Sequence, residues 1–530
     1  MLASVCRVSL SLFARDANRP DTDNLHMNGR SVLRTVFASL LIAVTPAVES
    51  YGEDQPQWGQ RYTRNLISHE KNLPTTFDPK TGKNVKWTAP LGTQSYATPI
   101  VASGRILIGT NNDPPRDQQN GGDRGVLLCL DEKDGKVLWH LSVPKQDEFN
   151  DWPRVGIVSP PTVEGNRVYV LSNRGEVLCL DLNGQADGND GPFRDEGRHM
   201  VPAGKPALKV RKENADIIWK YDMISELGVQ THDETFGSVL LHGDFLYIPT
   251  SNGVDSTHKL IPSPDAPSLI VLEKKTGRLV AKDGLNIGPQ IVHCNWSSPS
   301  VGTIGGKDLI FFGGSNAICY ALEALTSVPP ASKVETLKEV WRFDCDPTGP
   351  RGDLPKWQDN RRDGPSTIIG MPVFHEGRLY VAAGGDLWHG KPKCWMKCID
   401  ATKTGDITKS GEVWSTPLSR HCMSTPSIHD GLLYISDCGR QVSCLDLKTG
   451  KPHWVHRATG PFWSSTLLAD NKVYAGSRRG DFWILAAGKT LQVLDTFRLD
   501  SPINATPTAA NGVLYVATTN KLYALEVEDR

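Results

Sequence analysis

The chain has 530 residues, with 49 glycines, 36 prolines and a formal net charge of −1. This length is large for one compact domain, so it favours a repeat architecture or several domains. Charged residues make up 22% of the chain and offer no basic face of the kind that neutralises phosphates, which excludes nucleic acid as the expected partner.

The N-terminal region, residues 1–52, is predicted to be a secretory signal region whose true start is Met27. In the stretch Met27–Ser50, Arg30 and Arg34 precede a short apolar run, and small residues follow it. This is the layout of a signal peptide that is cleaved close to its end. Because the apolar run is too short to span a bilayer, we expect no transmembrane span in the mature chain. The sequence therefore predicts an exported protein, either periplasmic or extracellular.

A lead-in occupies residues 53–83, and a repeat follows over residues 84–528. Each copy has a short strand after small polar residues, an apolar-Tyr-apolar strand, a strand ending in Leu-Asp, and a glycine turn before a strand with Trp. Eight copies begin at Tyr96, Val158, Phe236, Trp296, Ile369, Met423, Trp463 and Asn504. Repeated four-stranded units of this length predict an all-β fold, an eight-bladed β-propeller with four-stranded blades. A stack of β-sandwiches is the alternative, but the regular return of one short pattern argues against it.

The last copy ends one strand short. Its segment "INATPTAANGVLYVATTNKLYALEVEDR" (Ile503–Arg530) has three strands, whereas an earlier copy continues through a glycine turn to Trp in Cys444–Trp454. The stretch "NVKWTAPLG" (Asn84–Gly92), ahead of the first full copy, matches the missing strand. We therefore predict that an N-terminal strand pairs into the last blade and closes the ring, which leaves no open sheet edge.

Two repeat segments carry a family resemblance, "LDEKDGKVLW" (Leu130–Trp139) and "LDLKTGKPHW" (Leu445–Trp454). They resemble the tryptophan-docking repeats of propellers of the pyrroloquinoline quinone (PQQ) type. The segments "QPQWGQRYTRNLIS" and "VKWTAPLGTQSYATPIVASGRI" are similar to the start of exported PQQ-like repeat proteins. Over residues 55–528 the chain thus looks like an exported PQQ-like β-propeller of the quinoprotein dehydrogenase-like superfamily. The resemblance implies that the Trp of each repeat packs between neighbouring blades.

The resemblance also implies two branches of function. Quinoprotein dehydrogenases hold PQQ and Ca²⁺ in the central channel against two adjacent cysteines, and this sequence has no Cys-Cys pair. The lipoprotein scaffold of outer-membrane protein assembly needs a lipid-bearing cysteine, and none lies between Cys6 and Cys129. We expect a scaffold in the cell envelope that binds a protein or a small-molecule ligand at the propeller faces. The alternatives are a PQQ- and Ca²⁺-dependent dehydrogenase oxidising an alcohol or sugar, and a hydrolase using Asp233 and Glu234.

The loops that enter the innermost strands hold the candidate site. They carry aromatic, imidazole, carboxylate and guanidinium groups, and such loops converge at one mouth of a propeller channel. The candidates are Asp151, Trp152, Arg154, His232, Asp233, Glu234, His293, Asn295, Trp296, Arg420, His421 and Trp463. Together these groups suit an aromatic polar ligand or a cation. The alternative is that each residue closes its own turn or packs a neighbouring blade.

A second candidate cation site is the loop "DLNGQADGNDGPFRDE" (Asp181–Glu196). Its weak candidate ligands are Asp181, Asn183, Asp187 and Asn189, since hard cations take oxygen ligands from alternating acidic positions. The spacing does not fit an EF-hand, because Arg194 stands where the bidentate Glu belongs. A solvated Gly-Asp loop is the preferred interpretation.

The cysteines divide into two groups. Four of them precede Leu-Asp or Ile-Asp at a position that Ala and Val occupy in other copies, and are predicted to be packing residues: Cys129, Cys179, Cys398 and Cys444. Cys422 and Cys438 instead flank a hairpin centred on Asp430. A cross-strand disulfide between these two is therefore predicted for an exported protein.

Overall fold

A computed structural model describes residues 52–116, 121–146, 151–357 and 359–528, so nearly all of the predicted signal region lies outside the described residues. Within the described ranges, thirty-six strands form eight sheets. The α-helices there are short: α1 (Glu196–His199), α2 (Met223–Leu227) and α3 (Leu354–Trp357). None of the described helices has the length and hydropathy needed to cross a bilayer. The chain is an all-β, eight-bladed propeller, as the repeat predicts.

The first two strands, β1 (Ile67–Ser68) and β2 (Val85–Pro90), precede the first full blade. Blades one to four follow in chain order, and each has an antiparallel core of four strands. Their strands are β3 (Ile100–Ala102), β4 (Arg105–Asn111), β5 (Arg124–Asp131) and β6 (Val137–Pro144); β7 (Thr162–Glu164), β8 (Arg167–Leu171), β9 (Glu176–Asp181) and β10 (Ile217–Asp222); β11 (Leu240–His242), β12 (Phe245–Pro249), β13 (Leu269–Glu273) and β14 (Leu279–Lys282); and β15 (Ser300–Ile304), β16 (Lys307–Gly313), β17 (Ile318–Glu323) and β19 (Glu339–Asp344). The short β18 (Glu335–Thr336) adds to blade three in parallel.

Blades five to eight complete the ring. Their strands are β21 (Val373–His375), β22 (Arg378–Gly385), β23 (Cys394–Asp400) and β25 (Glu412–Leu418); β26 (Ser427–His429), β27 (Leu432–Asp437), β28 (Gln441–Asp446) and β29 (Pro452–Arg457); β30 (Leu467–Ala469), β31 (Lys472–Gly476), β32 (Asp481–Ala486) and β33 (Val493–Arg498); and β34 (Thr508–Ala510), β35 (Val513–Ala517) and β36 (Lys521–Leu525). Two short strands extend these sheets. β20 (Ser366–Thr367) pairs with β22 in blade five, and β24 (Gly405–Asp406) pairs with β19 in blade four.

Blade eight takes its fourth strand from the other end of the chain. β2 pairs antiparallel with β36, so that Trp87 lies opposite Ala524 and Pro90 lies opposite Lys521. The sheet order β2-β36-β35-β34 is the one that the incomplete last repeat predicts. Pairing the two ends of the chain in one sheet supplies the fourth strand of blade eight and covers the edge of β36, which would otherwise be open to pairing with another chain.

Tryptophans on the outer strands of six blades connect each of those blades to the next. Each indole N–H donates to a backbone carbonyl of the following blade, over 2.8–3.2 Å. The pairs are Trp87–Glu132, Trp139–Leu182, Trp219–Lys274, Trp341–Ala401, Trp414–Leu447 and Trp454–Gly488. The turn glycine of the next blade makes room for the ring: a Cβ on Gly450, where φ is +70°, would lie 2.5 Å from the Trp414 ring. Where a repeat has both, the Trp of one blade and the glycine turn of the next are thus two halves of one interface.

The ten described cysteines are all buried and free, so the predicted Cys422–Cys438 disulfide is not present. The hairpin register is the reason, because the N–H of Cys438 donates to the carbonyl of His421, not to that of Cys422. Successive side chains on a strand point to opposite faces. The two thiols accordingly point to different carbonyls, that of Cys422 to Ser436 and that of Cys438 to Phe462 in the next blade.

The lead-in crosses the centre of the ring. Its backbone carbonyls between Glu53 and Leu66 accept hydrogen bonds from residues in or beside the inner strands of six blades. The donors are Val101, Val163, Val301, Phe374, Leu468 and Asn511. In blade six the side chain of Asn65 replaces a strand, because its amide bonds both the N–H and the carbonyl of Ile428 at 2.8 Å. A segment this short can reach so many inner edges only by lying across the channel.

Arg64 connects the lead-in to blade three, the one remaining blade, and makes a second contact with blade four. Its guanidinium is fully buried and donates to the carbonyls of Pro299, Trp58 and Ser238 at 3.0–3.1 Å and to the Ser238 hydroxyl at 3.2 Å. Several accepting oxygens offset the cost of burying this cation, although burial still lowers its pKa to about 9. The channel is therefore closed at the level of the lead-in.

Candidate functional site

A cavity of about 590 Å³ lies in the channel above the lead-in, which contributes Trp58. All eight blades line it through the loops that enter their inner strands. The lining includes Tyr96, Trp152, Arg154, Asp233, Glu234, Phe236, His258, His293, Trp296, Ile369, Trp388, His389, Met423, Trp463 and Asn504. Because the lead-in closes the channel below it, this space is a pocket with a floor and not a through-pore.

One wall of the cavity is aromatic. The ring of Trp388 stands edge-on to both Trp296 and Trp463, with centroids 6.0 and 5.9 Å apart. Tyr96 extends the wall from Trp463, with centroids 6.3 Å apart. The Arg478 guanidinium lies 3.4 Å from the centroid of the Trp463 ring, a cation–π contact that holds this indole in place. Rings fixed in this way present an aromatic surface that is formed before a ligand arrives.

Three imidazoles meet beside this wall. The ligand nitrogens of His232, His258 and His293 all lie within 4.8 Å of one another, and the Nε2 atoms of His232 and His258 are 3.0 Å apart. The carbonyl of Val254 is 2.8 Å from Nδ1 of His232, and the Asp386 carboxylate is 2.9 Å from Nδ1 of His293. Since a carbonyl can only accept, Nδ1 of His232 carries the proton. This leaves the lone pair on Nε2, facing His258.

Asp233 and Asp386 set the charge of this cluster. Burial, together with the charge of His293, lowers the pKa of His232 to about 4. Burial would also lower the pKa of His293, but Asp386 and Asp233 outweigh it and raise this pKa to about 9. The Asp233 carboxylate lies 3.4 Å from Nε2 of His232 and 3.7 Å from Nε2 of His293. At neutral pH the cluster therefore holds one protonated and one neutral buried imidazole.

Two further carboxyls have raised pKa values. Burial, with the nearby charge of Asp233, raises the pKa of Glu234 to about 8. Burial raises the pKa of Asp151 to about 6, against the opposing effect of Lys145, which contacts it. Asn173 also donates to Asp151 over 2.6 Å. A mostly neutral Glu234 makes the cavity less acidic at neutral pH than its sequence indicates.

The structure brings seven of the predicted residues to the cavity lining: Trp152, Arg154, Asp233, Glu234, His293, Trp296 and Trp463. His232 adjoins it through the imidazole cluster. Asp151, Asn295 and His421 are buried away from the lining. The amide of Asn295 is used within the fold, where it donates to the Asn252 carbonyl and the Ser268 hydroxyl. For these three residues the structure favours the packing and turn-closing interpretation.

Several residues at the site are missing from the sequence prediction. His258 lies in the connection between β12 and β13, and Asp386, Trp388 and His389 lie in the connection between β22 and β23. Both connections are insertions within a blade, so they have no fixed place in the repeat. The signal that could have found them is an insertion with His or Trp in an otherwise short hairpin.

The side-chain oxygens of the acidic loop after β9 have protein donors as partners. The side-chain Oδ1 of Asn183 accepts a hydrogen bond from Arg105 at 2.6 Å, and the Asp181 carboxylate pairs with Arg167 at 2.5 Å. Asp187 accepts from Asn183 at 2.9 Å, while Asn189 contacts the Arg194 guanidinium. The oxygens proposed as ligands therefore already face protein donors, as expected for the loop interpretation.

Comparison with known proteins agrees with this fold. The family model described as "Outer membrane protein assembly factor BamB" matches residues 59–282 and 405–496, more than half of the chain. No curated protein matches the sequence significantly.

Solved structures of similar fold include two enzymes. Quinohemoprotein alcohol dehydrogenase from Comamonas testosteroni is 13% identical with a TM-score of 0.56, over 90% of this chain and 81% of that one. Quinohemoprotein alcohol dehydrogenase ADHIIG from Pseudomonas putida HK5 is 12% identical with a TM-score of 0.55, over 89% of this chain and 80% of that one. BamB from Moraxella catarrhalis is 12% identical with a TM-score of 0.49, over 84% of this chain and 97% of that one. At these identities the similarity concerns the propeller fold alone.

Proposed function

The chain belongs to the family described as outer membrane protein assembly factor BamB, and on this scaffold we propose an exported propeller of the cell envelope that binds a small ligand in its central cavity. The ligand is a flat aromatic molecule with polar groups at its edge. A family of envelope propellers supports the location, and the signal-like stretch Met27–Ser50 supports export.

The aromatic cavity, which the lead-in closes from below, is the observation that carries this proposal. Its volume of about 590 Å³ lies in the range that encloses small organic ligands. The wall formed by Trp296, Trp388 and Trp463 can stack against a planar ring without first rearranging. Arg154 and the imidazoles of His258 and His389 surround the same space and supply donors for polar edge groups. A pocket of this kind requires all eight blades and is more than the turn-closing role of any one residue.

The test uses two flat probes, PQQ with its carboxylates and riboflavin without them. We expect saturable binding of at least one probe by calorimetry, together with a rise in the unfolding temperature. Trp388→Ala should weaken that binding about ten-fold, because a stacked aromatic contact contributes up to ~1.5 kcal/mol. Trp395→Ala is the matched control, since Trp395 lies in β23 of the same blade and does not line the cavity.

Absence of saturable binding by both probes would contradict the proposal. Equal weakening by Trp388→Ala and Trp395→Ala would contradict it as well, because the effect would then be general loss of structure.

The dehydrogenase alternative needs Ca²⁺ as well as the quinone, and the described residues do not fit that ion. Ca²⁺ takes six to eight oxygen ligands. The charged carboxylate at the cavity is Asp233, which already lies between two imidazoles. The Asn295 amide is used by the fold, and the other close donors are nitrogens. Probe binding that depends strictly on Ca²⁺ would overturn this interpretation and favour the dehydrogenase.

Protein binding at the outer rim is the second candidate, since the family description names an assembly factor. Exposed apolar side chains on outer strands favour it, with Val137, Val413, Val455 and Val493 each about 40% exposed. A partner bound at this rim should be lost in Val455→Glu and retained in Trp388→Ala, as measured by co-sedimentation with envelope proteins. The opposite pattern would assign the partner to the cavity mouth.

A further inference from the structure

We propose that His232, His258 and His293 bind a divalent transition-metal cation of the Zn²⁺ class. The three imidazoles come from different loops, yet the structure brings their ligand nitrogens within 4.8 Å of one another. Four-coordinate Zn²⁺ with Zn–N bonds of 2.0–2.1 Å places its nitrogens roughly 3.3 Å apart. The 3.0 Å separation of the His232 and His258 Nε2 atoms is close to that spacing, so small ring rotations complete the site.

The outer contacts of the imidazoles are those of metal ligands. In proteins, a histidine that binds a metal usually donates its other ring N–H to a carboxylate or a backbone carbonyl. His293 meets Asp386 in this way and His232 meets the Val254 carbonyl. Asp386 is itself held by the backbone N–H groups of Trp388 and His389, at 2.9 and 2.8 Å. The orientation of the two buried rings is therefore fixed by partners outside the cluster.

An unsatisfied nitrogen points to the ligand independently. The Nε2 atom of His293 is buried and makes no hydrogen bond, although the residue is only 3% exposed. Leaving a buried polar nitrogen without a partner is costly, and a native fold keeps such a group when a ligand completes it. The Asp233 carboxylate lies at 3.7 Å from this nitrogen, beyond hydrogen-bond reach. A cation at the centre of the three nitrogens would supply the missing partner by replacing the proton that His293 carries at neutral pH.

The donor set selects the class of metal. Nitrogen ligands suit Zn²⁺, Cu²⁺ and Ni²⁺, whereas Ca²⁺ and Mg²⁺ prefer oxygen. Three protein ligands leave a fourth position, and Asp233 lies beside it at 3.4–3.7 Å from two of the ring nitrogens. Because His258 and His293 line the cavity, that position faces the space above the lead-in. The inference concerns the metal alone and does not depend on the aromatic ligand proposed above.

The experiment is a titration of the metal-free, full mature chain with Co²⁺, followed by Zn²⁺ competition, with no organic ligand present. We expect one equivalent of Co²⁺ with the visible absorption of a four- or five-coordinate site, displaced by one equivalent of Zn²⁺. His258→Ala should weaken binding more than about 100-fold, because it removes a ligand. Asp386→Asn should weaken it about 10- to 100-fold, as loss of an outer-sphere carboxylate does.

His429→Ala is the matched control, since His429 is half exposed in the β26–β27 hairpin, far from the cluster in the sequence. It should bind Co²⁺ like the unsubstituted chain. Failure of the folded chain to take up stoichiometric Co²⁺ overturns the proposal. Equal affinity in His258→Ala and His429→Ala also overturns it. The unfolding temperature of each variant, measured without metal, separates loss of the site from loss of the fold, and neither result bears on probe binding in the aromatic cavity.

Discussion

Tryptophan occurs in two different environments in this propeller, on the outer strands of the blades and in the wall of the cavity. On the outer strands, as at Trp139 and Trp341, the ring is almost fully buried and its N–H donates to a carbonyl of the next blade. At the cavity, Trp388 and Trp463 are partly exposed and pack edge-on against each other in one wall. The outer-strand position holds Trp in six blades, whereas the position of Trp463 holds other residues in most copies and Trp388 lies in an insertion.

This difference indicates how to separate structure from function in a repeat fold. A residue that recurs in register completes contacts that each blade needs, so its loss should lower stability. An aromatic residue at a position where most copies have another residue type is not needed to build a blade, so it requires another explanation. Trp296 and Trp463 stand at the start of their copies, yet the corresponding place in other copies holds Tyr96 or Met423. The predictions below test this separation from the largest expected effect to the smallest.

Replacing an outer-strand tryptophan should have the largest effect. Trp341→Ala removes a ring with no solvent exposure and its hydrogen bond to Ala401. We expect a loss of about 4 kcal/mol in the free energy of unfolding, from lost burial and the cavity left behind. Denaturant unfolding measures it. A loss of less than about 1 kcal/mol, the range of surface substitutions, would mean that the blade interface does not depend on this ring.

A buried carboxylate of the framework, Glu176, should likewise affect stability when it is replaced. Glu176 in blade two is 1% exposed and pairs with His199, Arg174 and Lys220 at 2.8–3.3 Å. Burial alone would raise its pKa, but His199 and Arg174 outweigh burial and hold the pKa well below the usual value. Glu176→Gln should cost about 3 kcal/mol at pH 7, because it leaves the buried His199 and the partly buried Arg174 and Lys220 without their carboxylate partner.

The pH dependence of Glu176 has a defined sign. Its pKa is lower in the folded state, so its stabilisation is present above the unfolded pKa of about 4.3 and is lost as the pH falls below that value. The unfolding free energy of the unsubstituted chain should therefore fall more steeply below pH 4.5 than that of Glu176→Gln. Parallel pH curves for the two chains would contradict this role.

Two glycines of blade six, Gly450 and Gly431, allow the contribution of the contact between the Trp414 ring and the glycine turn to be measured. Gly450→Ala should cost about 2 kcal/mol, since the new Cβ meets the Trp414 ring at 2.5 Å and φ is +70°. Gly431→Ala is the control: its φ is +72° and nothing lies within 4 Å of the added Cβ. It should cost about 1 kcal/mol, for the backbone alone. Equal costs for both variants would show that the ring yields without penalty.

The fold could be predicted from the sequence because each repeat consists of short local patterns. Turn glycines, the Leu-Asp strand ends and the outer Trp recur in register, which predicts eight blades and the closing pair of β2 and β36. The path of the lead-in was not accessible. Arg64 and Asn65 act through bonds to blades hundreds of residues away, and no periodicity marks such contacts.

The candidate site was accessible only in part. Loops that enter the inner strands converge by the symmetry of a propeller, which placed Trp296, His293 and Trp463 near the channel mouth. His258 and Trp388 come from insertions, whose direction depends on packing with other blades. The Cys422–Cys438 prediction was wrong for a related reason: opposition across a hairpin depends on a register of one residue, which local sequence does not fix.

The most direct test compares Trp454→Ala and Trp463→Ala. The two residues are nine positions apart in the sequence, but Trp454 belongs to the outer-strand tryptophans and Trp463 to the cavity tryptophans. Trp454 donates to Gly488 at 2.8 Å in the next blade, and Trp463 lines the cavity. For each variant, PQQ affinity is measured by calorimetry and stability by denaturant unfolding. We predict that Trp454→Ala lowers stability and leaves affinity unchanged within about two-fold, whereas Trp463→Ala weakens binding about ten-fold with a smaller loss of stability. If both variants change the same quantity to the same extent, the separation of framework and cavity tryptophans is contradicted.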